Sequence, residues 1–195
     1  MQPIILASTS QRRQEILRSL AIPFTVMAPT FEEPKVSSGN PAEITELNSM
    51  KKVESIIRMD LDLNVPWVLG ADTLIVQNGV LFGKPSNREE ARDMIKSFSN
   101  QTHSVVTSIS LFASTTNFIT SKTCETKVSF VALDDEEIET YLDTSEWQGV
   151  AGGYRIQGRA GCYINHIEGS WSGIVGLPIH DLYAILREHG YCFTV

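Results

Sequence analysis

The segment IILASTSQRR, residues 4–13, predicts a strand, a hydroxyl-rich turn and the start of a helix. Its first four residues are apolar and suit a buried strand, and Ser10 is of a type that favours the N-cap position. Arg12 and Arg13 then fall in the first helical turn, where free backbone N–H groups favour anions and each cation costs a few tenths to about 1 kcal/mol. An anion held by the amides, hydroxyls and guanidinium groups would offset that cost. We therefore expect a phosphate site here, although surface helices also carry paired arginines that bind nothing.

The most familiar phosphate-binding motifs are absent from the sequence. Neither G-x-x-x-x-G-K-[ST] nor G-x-G-x-x-G after a strand occurs. The net charge of -7 argues against broad binding to nucleic acid or to an anionic membrane. An anion site in this chain must therefore be a local concentration of positive charge.

Composition predicts one soluble domain. At 195 residues and 42% hydrophobic content, the chain is long enough to bury a substantial core. No apolar run approaches the roughly 18 residues needed to cross a bilayer, so we expect a cytoplasmic location. The three cysteines are widely spaced and have no histidine at metal-ligand intervals, so we expect reduced thiols.

Hydrophobic periodicity and cap residues predict an α/β fold with a mixed central sheet. Strands are predicted over 4–7, 22–27, 67–76, 80–82, 102–112 and 118–133, with a type I′ hairpin at Asn78-Gly79. Helices are predicted from Gln11 to about Leu20, from Pro41 to Ile57, after a capping box of Ser86 and Glu89, after another of Asp134 and Glu137, and from Pro178 until Gly190. The second helix is expected to follow a capping box of Asn40 and Glu43 and to bury Ile44, Leu47, Met50 and Ile57.

Asp72 interrupts an apolar strand of the kind that is usually buried on both faces. An unpaired carboxylate there would cost several kcal/mol, so Asp72 must meet a cation, a metal or a hydrogen-bond donor, or serve as a base. The alternative is an aspartate at the strand end that faces solvent. Thr73 points to the opposite side of a regular strand, so both side chains reach one ligand only if the strand ends or bulges there.

Four further polar residues carry weak signals when each is considered alone. Lys84 lies between a glycine and a proline, which could present its ammonium into a cleft. Lys52 lies off the apolar stripe of its helix and Glu33 lies in a polar loop, so all three charged residues are expected to face solvent. Gln157 lies beside a glycine, and its amide suits an amide-like base edge. None of the four histidines has a partner at triad or metal spacing.

Ordered segments along essentially the full chain resemble the Maf family of nucleoside triphosphate pyrophosphatases. They are LASTSQRR at 6–13, EE at 32–33 with Lys52, LGADT at 69–73, GKP at 83–85, QTH at 101–103, YRIQG at 154–158, EGS at 168–170 and VGLP at 175–178. The resemblance implies two lobes with a cleft between them, similar to inosine triphosphate pyrophosphatase (Maf/Ham1-like), in a single catalytic domain over residues 1–195. It also implies a homodimer and a divalent metal, Mg²⁺ or Mn²⁺.

The resemblance further implies a reaction and a set of site residues. Maf-like enzymes cleave a nucleoside triphosphate between its α and β phosphates, giving a monophosphate and pyrophosphate. Asp72 matches the proton acceptor, and it could equally be a metal ligand with Glu33, which matches another acidic position of the site. The phosphate-handling positions are matched by Ser8, Arg12, Arg13, Lys52 and Lys84.

Three positions carry the expected specificity. Arg12, Thr73 and Gln157 match the branch of the family that acts on dTTP and UTP. In the branch that acts on 7-methyl-GTP, the pattern at these three positions is Trp, Gln and Glu. A neutral glutamine suits a pyrimidine imide edge better than a carboxylate would. Val150 and Arg155 stand where Lys and Gly are usual, which could change base selectivity or phosphate contacts. The alternatives are a 7-methyl-GTP or broad-specificity pyrophosphatase and a non-catalytic nucleotide-binding regulator of cell division.

Overall fold

The structure is a computed structural model that describes residues 1–34, 36, 38–59 and 66–193. The strands are β1 (Ile4–Leu6), β2 (Phe24–Val26), β3 (Trp67–Gln77), β4 (Val80–Phe82), β5 (Thr102–Ala113), β6 (Phe118–Phe130) and β7 (Ile164–Glu168). The helices are α1 (Gln11–Ser19), α2 (Pro41–Ile57), α3 (Arg88–Phe98), α4 (Asp135–Asp143), α5 (Trp171–Val175) and α6 (Ile179–Glu188). Two 3₁₀ turns cover Ala151–Gly153 and Arg159–Tyr163.

The strands form one mixed sheet, which confirms the predicted α/β fold. Its order is β2-β1-β3-β5-β6-β7, and β4 pairs with β3 beside this path. β1 runs parallel to both β2 and β3, whereas β3, β4, β5, β6 and β7 pair antiparallel. The hairpin at Asn78-Gly79 is confirmed by φ values of 50° and 79°, as a type I′ turn requires.

β3 has an uncovered stretch along one edge. β1 pairs with β3 at Val68 and Leu69 and then ends, while β4 pairs only from Ile75 to Gln77. Residues 70–74 of β3 remain paired to β5 on the other edge without a shift in register. The gap between β1 and β4 therefore leaves an opening in the sheet beside Asp72 and Thr73.

The buried face of α2 is polar from Thr45 to Lys52 and apolar only at Val53 and Ile56, so the predicted apolar stripe is wrong. Leu47, a member of that stripe, is 54% exposed, whereas Thr45, Asn48, Ser49 and Lys52 are buried against the sheet. The Ser49 hydroxyl pairs with the hydroxyl of Ser110 on β5 at 2.6 Å. Buried polar groups persist where they find such partners, and hydrophobicity alone does not reveal this face.

Gly70 permits the close approach of α2 to β3. A Cβ atom at this position would overlap the carbonyl oxygen of Ser49 and press on Val53. Because real Cβ atoms cannot come so near, any larger residue must push the helix outward. Lys52 lies on the same helix, so its reach to β3 depends on this glycine.

The start of α3 differs from the prediction by one residue. Asn87, and not Ser86, is the N-cap, and its side chain accepts a hydrogen bond from the backbone N–H of Glu90. The carboxylate of Glu90 accepts from the N–H of Ser86 at 2.7 Å. Asparagine and serine are similarly good caps, so sequence could not choose between them. The Asn40 cap of α2 is confirmed, but its side chain accepts from Ala42 instead of closing a backbone box with residue 43.

Two findings concern the cysteines and the membrane. Within the part of the chain that the structure describes, no disulfide joins the cysteines. In the same residues, no helix combines the length and hydrophobicity needed to span a bilayer.

His103 lies in the core among the rings of Phe98, Phe130 and Tyr154. It is 2% exposed, and its Nε2 lies 2.8 Å from the hydroxyl of Tyr154. Burial lowers the pKa of His103 to about 4, because an imidazolium is poorly solvated there. This contact fixes Tyr154, which directly precedes Arg155, a residue that lines the cavity described below.

We predict that Gly70→Val destabilises the protein by about 1–3 kcal/mol, because the added methyl groups collide with the α2 backbone. Urea-induced unfolding measures the change. Gly83→Ala is the matched control, since a Cβ there meets nothing within 4 Å, and its free energy of unfolding is expected within about 0.5 kcal/mol of the parent. Equal stability of Gly70→Val and the parent would contradict the close packing of α2.

We also predict that His103 makes stability fall with acid. Between pH 6.5, the ordinary pKa, and about 4, the unfolded chain holds a proton that the folded His103 does not. Stability is thus complete above about pH 6.5 and is lost as the pH falls through this window, at up to about 1.4 kcal/mol per pH unit. His103→Gln cannot titrate, so its unfolding free energy should decline less steeply between pH 7 and 5. Identical slopes for the two proteins would refute the assignment.

Candidate functional site

A cavity of about 380 Å³ lies at the uncovered edge of β3. The turn after β1, the start of α1, the middle of α2, the strand β3 and three loops contribute to its wall. The lining includes nine residues with charged or hydroxyl side chains that are described below: Ser8, Arg12, Arg13, Glu33, Lys52, Asp72, Thr73, Lys84 and Arg155. Every phosphate-binding and acidic residue that the sequence indicates therefore lines one cavity.

Lys52 is the centre of this cavity wall and is buried, contrary to the expectation that it faces solvent. Its ammonium donates to the carbonyl oxygen of Ala71 at 3.0 Å and to Asp72 Oδ1 at 2.7 Å. It also forms an ion pair with Glu33 Oε1 at 2.6 Å. Asn48, one helical turn earlier, donates to Asp72 Oδ2 at 2.9 Å. Asp72 thus meets the cation and the donor that its buried position demands.

Glu33 bridges the two lysines of the site. Its second oxygen lies 3.2 Å from the ammonium of Lys84, whose side chain is 56% exposed. Burial raises the pKa of Glu33, but the attraction of Lys52 and Lys84 outweighs burial and lowers it to about 2. Glu33 is therefore ionised at neutral pH. Lys52, Lys84, Asp72 and Glu33 form a lysine–carboxylate quartet whose formal charges cancel.

Arg13 is a structural cation of the site. Its guanidinium donates to the carbonyl oxygen of Gly176 at 2.8 Å, to Ser8 Oγ at 3.1 Å and to Thr73 Oγ1 at 3.2 Å. Burial lowers its pKa, and the charges of Asp72 and Glu33 act in the opposite direction. Three separate chain segments are joined by this one side chain, so Arg13 holds the cavity wall together.

Arg12 differs from its neighbour. Across residues 1–34, 36, 38–59 and 66–193, its side chain forms no ion pair with a carboxylate. Burial, together with the positive charges of Arg13 and Arg155, lowers the pKa of Arg12 to about 10. Ser10 occupies the N-cap as predicted, but its side chain makes no capping hydrogen bond, so the first amides of α1 lack that partner.

The cavity is locally positive in an acidic protein. Its lining contains five lysine and arginine side chains and two carboxylates, a formal charge of +3 in a chain of -7. Because the lysine–carboxylate quartet is neutral, the excess lies on the arginines. The sequence-based expectation of a focused anion site is consistent with this distribution.

Asp72 and Thr73 both line the cavity although β3 neither ends nor bulges between them. Contact of both side chains with one ligand stays a prediction. Among the residues that the structure describes, no strand pairs with 70–74 at this edge, so a ligand in the gap could contact side chains on both faces of β3. Thr73 is also bonded to Arg13 at 3.2 Å and to Thr107 at 3.0 Å.

Gln157 is not brought to the cavity wall with the other predicted residues. It is exposed and lies in a turn, two residues after Arg155, which does line the cavity. Sequence reasoning missed Asn48, which supports the wall through Asp72, and also Gly149 and Ala151, which line the cavity. Asn48 and Lys52 are four residues apart, and this polar helix spacing was a signal that could have identified Asn48.

The two carboxylates fit a divalent ion that is shared with phosphate. Among the residues that the structure describes, no cluster of three His, Cys, Asp or Glu side chains could form a metal cage. Asp72 and Glu33 nevertheless face one ammonium and supply the oxygen ligands that Mg²⁺ and Mn²⁺ prefer. Mg²⁺ is commonly held by one or two carboxylates together with substrate phosphates and water.

The sheet and its positive cavity define an α/β protein that is suited to binding a polyanion. The chain belongs to the Maf family, since the family model described as Maf-like protein matches residues 3–189. A dTTP/UTP pyrophosphatase of Treponema denticola is 41% identical, in an alignment that covers 96% of this chain and 97% of that protein. A dTTP/UTP pyrophosphatase of Symbiobacterium thermophilum is 39% identical and covers 98% of this chain and 96% of that one. A solved Ham1 protein from Coxiella burnetii has a TM-score of 0.48 at 12% identity, with 96% of this chain and 100% of that chain covered.

We predict unequal stability effects for the two adjacent arginines. Arg13→Ala should cost about 2–4 kcal/mol, because Ser8, Thr73 and Gly176 lose their buried donor. Arg12→Ala should change stability by less than about 1 kcal/mol, since it also removes repulsion between like charges. Unfolding in urea compares them, and the two substitutions serve as each other's control. A larger loss in Arg12→Ala than in Arg13→Ala would overturn these roles.

Proposed function

We propose that this protein is a nucleoside triphosphate pyrophosphatase that hydrolyses dTTP and UTP, with modified pyrimidine nucleotides as further substrates. The observation that carries the proposal is the cavity itself, in which a charge of +3 surrounds a buried, ion-paired Asp72. The relatives named dTTP/UTP pyrophosphatase, which match nearly the whole chain, support the substrate class. The proposed specificity residues are Arg12, Thr73 and Gln157, of which Gln157 supplies a neutral amide for the base.

The residues divide the work between binding and proton transfer. Ser8, Arg12, Arg13, Lys52 and Lys84 neutralise and position the triphosphate, as a built array of donors can do in a partly closed site. Lys52 and Asn48 each bond one oxygen of Asp72 and so fix the orientation of its carboxylate. A carboxylate held this way accepts the proton of a water molecule that attacks phosphorus. The bond between the α and β phosphates breaks, and pyrophosphate leaves with the bonding electrons.

The proposal includes a divalent metal, Mg²⁺ or Mn²⁺. Asp72 and Glu33 would hold the ion, which when bound would neutralise charge on the phosphates. Glu33 is ionised well below neutral pH, as a ligand for such an ion must be. Asp72 remains assigned as proton acceptor, with metal binding as its second role.

We further propose a single two-lobed catalytic domain over residues 1–195, a homodimer and a cytoplasmic location. Membership of the Maf family, whose model matches residues 3–189, supports the first two proposals. The acidic net charge disfavours nucleic acid as a partner. Sedimentation velocity distinguishes monomer from dimer.

We predict that Asp72→Asn lowers the rate of pyrophosphate release from UTP and dTTP at least about 100-fold, because an amide cannot accept the proton. The fold should persist, since asparagine has nearly the same shape and Lys52 keeps its ion pair with Glu33 at 2.6 Å. Released pyrophosphate is measured with Mg²⁺ or Mn²⁺, and circular dichroism confirms folding.

The nucleotide panel for this assay contains UTP, dTTP, CTP, 7-methyl-GTP and inosine triphosphate. Asp93→Asn provides a control that removes a carboxylate from α3, outside the cavity lining, and is expected to leave turnover unchanged. Turnover of UTP by Asp72→Asn at the parent rate would exclude Asp72 as the base. Preference for 7-methyl-GTP, or no turnover of any nucleotide by the parent protein, would overturn the proposed activity.

A further inference from the structure

Arg155 lies on a loop that is anchored on both sides. The N–H of Gly152 donates to the carbonyl oxygen of Gly83 at 2.8 Å, which joins this loop to the one that carries Lys84. Gly152 has φ of +67°, and a Cβ there would overlap Ile75, so only glycine fits this crossing. Tyr154, directly before Arg155, is held by His103 at 2.8 Å. The backbone therefore presents Arg155 to the cavity at a defined position.

The guanidinium of Arg155 has spare hydrogen-bonding capacity. It lines the cavity, and one terminal nitrogen donates to the carbonyl oxygen of Gln148 at 3.3 Å. Its Nε is buried and has no hydrogen-bond partner. Within the described ranges, Arg155 forms no ion pair with any carboxylate. A buried N–H donor without a partner is costly. The terminal nitrogens, of which one bonds Gln148, are the donors that a ligand in the cavity can reach.

Arg12 and Arg155 bring like charges together. Besides burial and Arg13, the charge of Arg155 is a main influence that lowers the pKa of Arg12. Such an arrangement is unfavourable until an anion lies between or beside the two guanidinium groups. Arg13 already bonds three protein oxygens, and the lysine–carboxylate quartet is neutral. Among the described cations of the cavity lining, Arg12 and Arg155 therefore keep the most donor groups free to meet a ligand.

We propose that Arg155 is a further substrate-binding residue, which with Arg12 binds the terminal phosphates of the nucleoside triphosphate. This inference rests on the proposed function. The terminal phosphates carry most of the negative charge of the substrate, and a guanidinium fork matches their oxygens in a way that a neutral base edge does not. Asp72, which belongs to the quartet, acts at the scissile bond, and the arginine pair holds the leaving pyrophosphate.

Two probes separate a terminal-phosphate contact from a base contact. Inorganic tripolyphosphate carries the phosphates without a base, and uridine monophosphate carries the base without the terminal phosphates. Calorimetry measures the Kd of each probe for the parent protein, Arg155→Ala, Arg155→Gln and Arg155→Lys. Arg159→Ala is the matched control, because Arg159 is a nearby exposed arginine outside the cavity lining.

We expect Arg155→Ala and Arg155→Gln to weaken tripolyphosphate binding about 10-fold or more, while the Kd of uridine monophosphate changes less than about 2-fold. Arg155→Lys should retain much of the affinity, and Arg159→Ala should match the parent. In turnover, the KM for UTP should rise in both neutral variants and the ratio of UTP to CTP activity should stay constant. Thermal unfolding confirms that each variant is folded. If one neutral variant does not fold, the other still supplies the measurement.

Three results overturn the inference. These are unchanged tripolyphosphate affinity in both neutral variants, a loss confined to uridine monophosphate, or a changed UTP to CTP ratio. If the parent protein turns over UTP while any of these is found, the proposed function stands and the role of Arg155 fails. If the parent releases no pyrophosphate from any nucleotide, the proposed function fails, whereas the tripolyphosphate titration still decides whether Arg155 binds phosphates.

Discussion

The buried ammonium of Lys52 is the interaction on which the rest of the site depends. At 5% exposure it would be strongly destabilising alone, but three oxygens, of Ala71, Asp72 and Glu33, lie within 3.0 Å of it. Without its carboxylate partners, the Lys52 ammonium would be left buried and uncompensated. The two carboxylates are consequently held on the same ammonium, and in the proposed function they supply an oriented base and a pair of oxygen ligands. The absence of a side chain at Gly70 lets α2 come near enough for this contact.

The interruption in the sheet gives this cluster its function. Where β1 has ended and β4 has not begun, β3 exposes an edge that a ligand can approach from both faces. Positive charge is divided unequally around that opening. The lysines are neutralised by Asp72 and Glu33, Arg13 is committed to the protein, and Arg12 with Arg155 retains charge for an incoming anion. Overall acidity and local anion binding are therefore compatible in one chain.

Much of the architecture could be predicted from sequence, because strand alternation and cap residues are local signals. The demand of Asp72 for a cation was also predictable, since burial of its strand is evident from the apolar neighbours. The identity of that cation was not. Leu47 suggested which face of α2 is buried, yet the sheet instead receives the polar face containing Lys52, whose partners are distant in sequence. The open edge at Thr73 likewise depends on where two other strands stop, which no local pattern encodes.

The most direct test of a polyphosphate site at the β3 edge is a crystal structure of the protein with α,β-methylene-UTP, whose α–β bridge resists hydrolysis, and Mg²⁺. The account predicts that the triphosphate occupies the cavity between the start of α1 and the lysine–carboxylate quartet. The α-phosphorus should face Asp72, and the terminal phosphates should contact Arg12. A triphosphate bound elsewhere, or one held in solvent while only the base touches the protein, would contradict it.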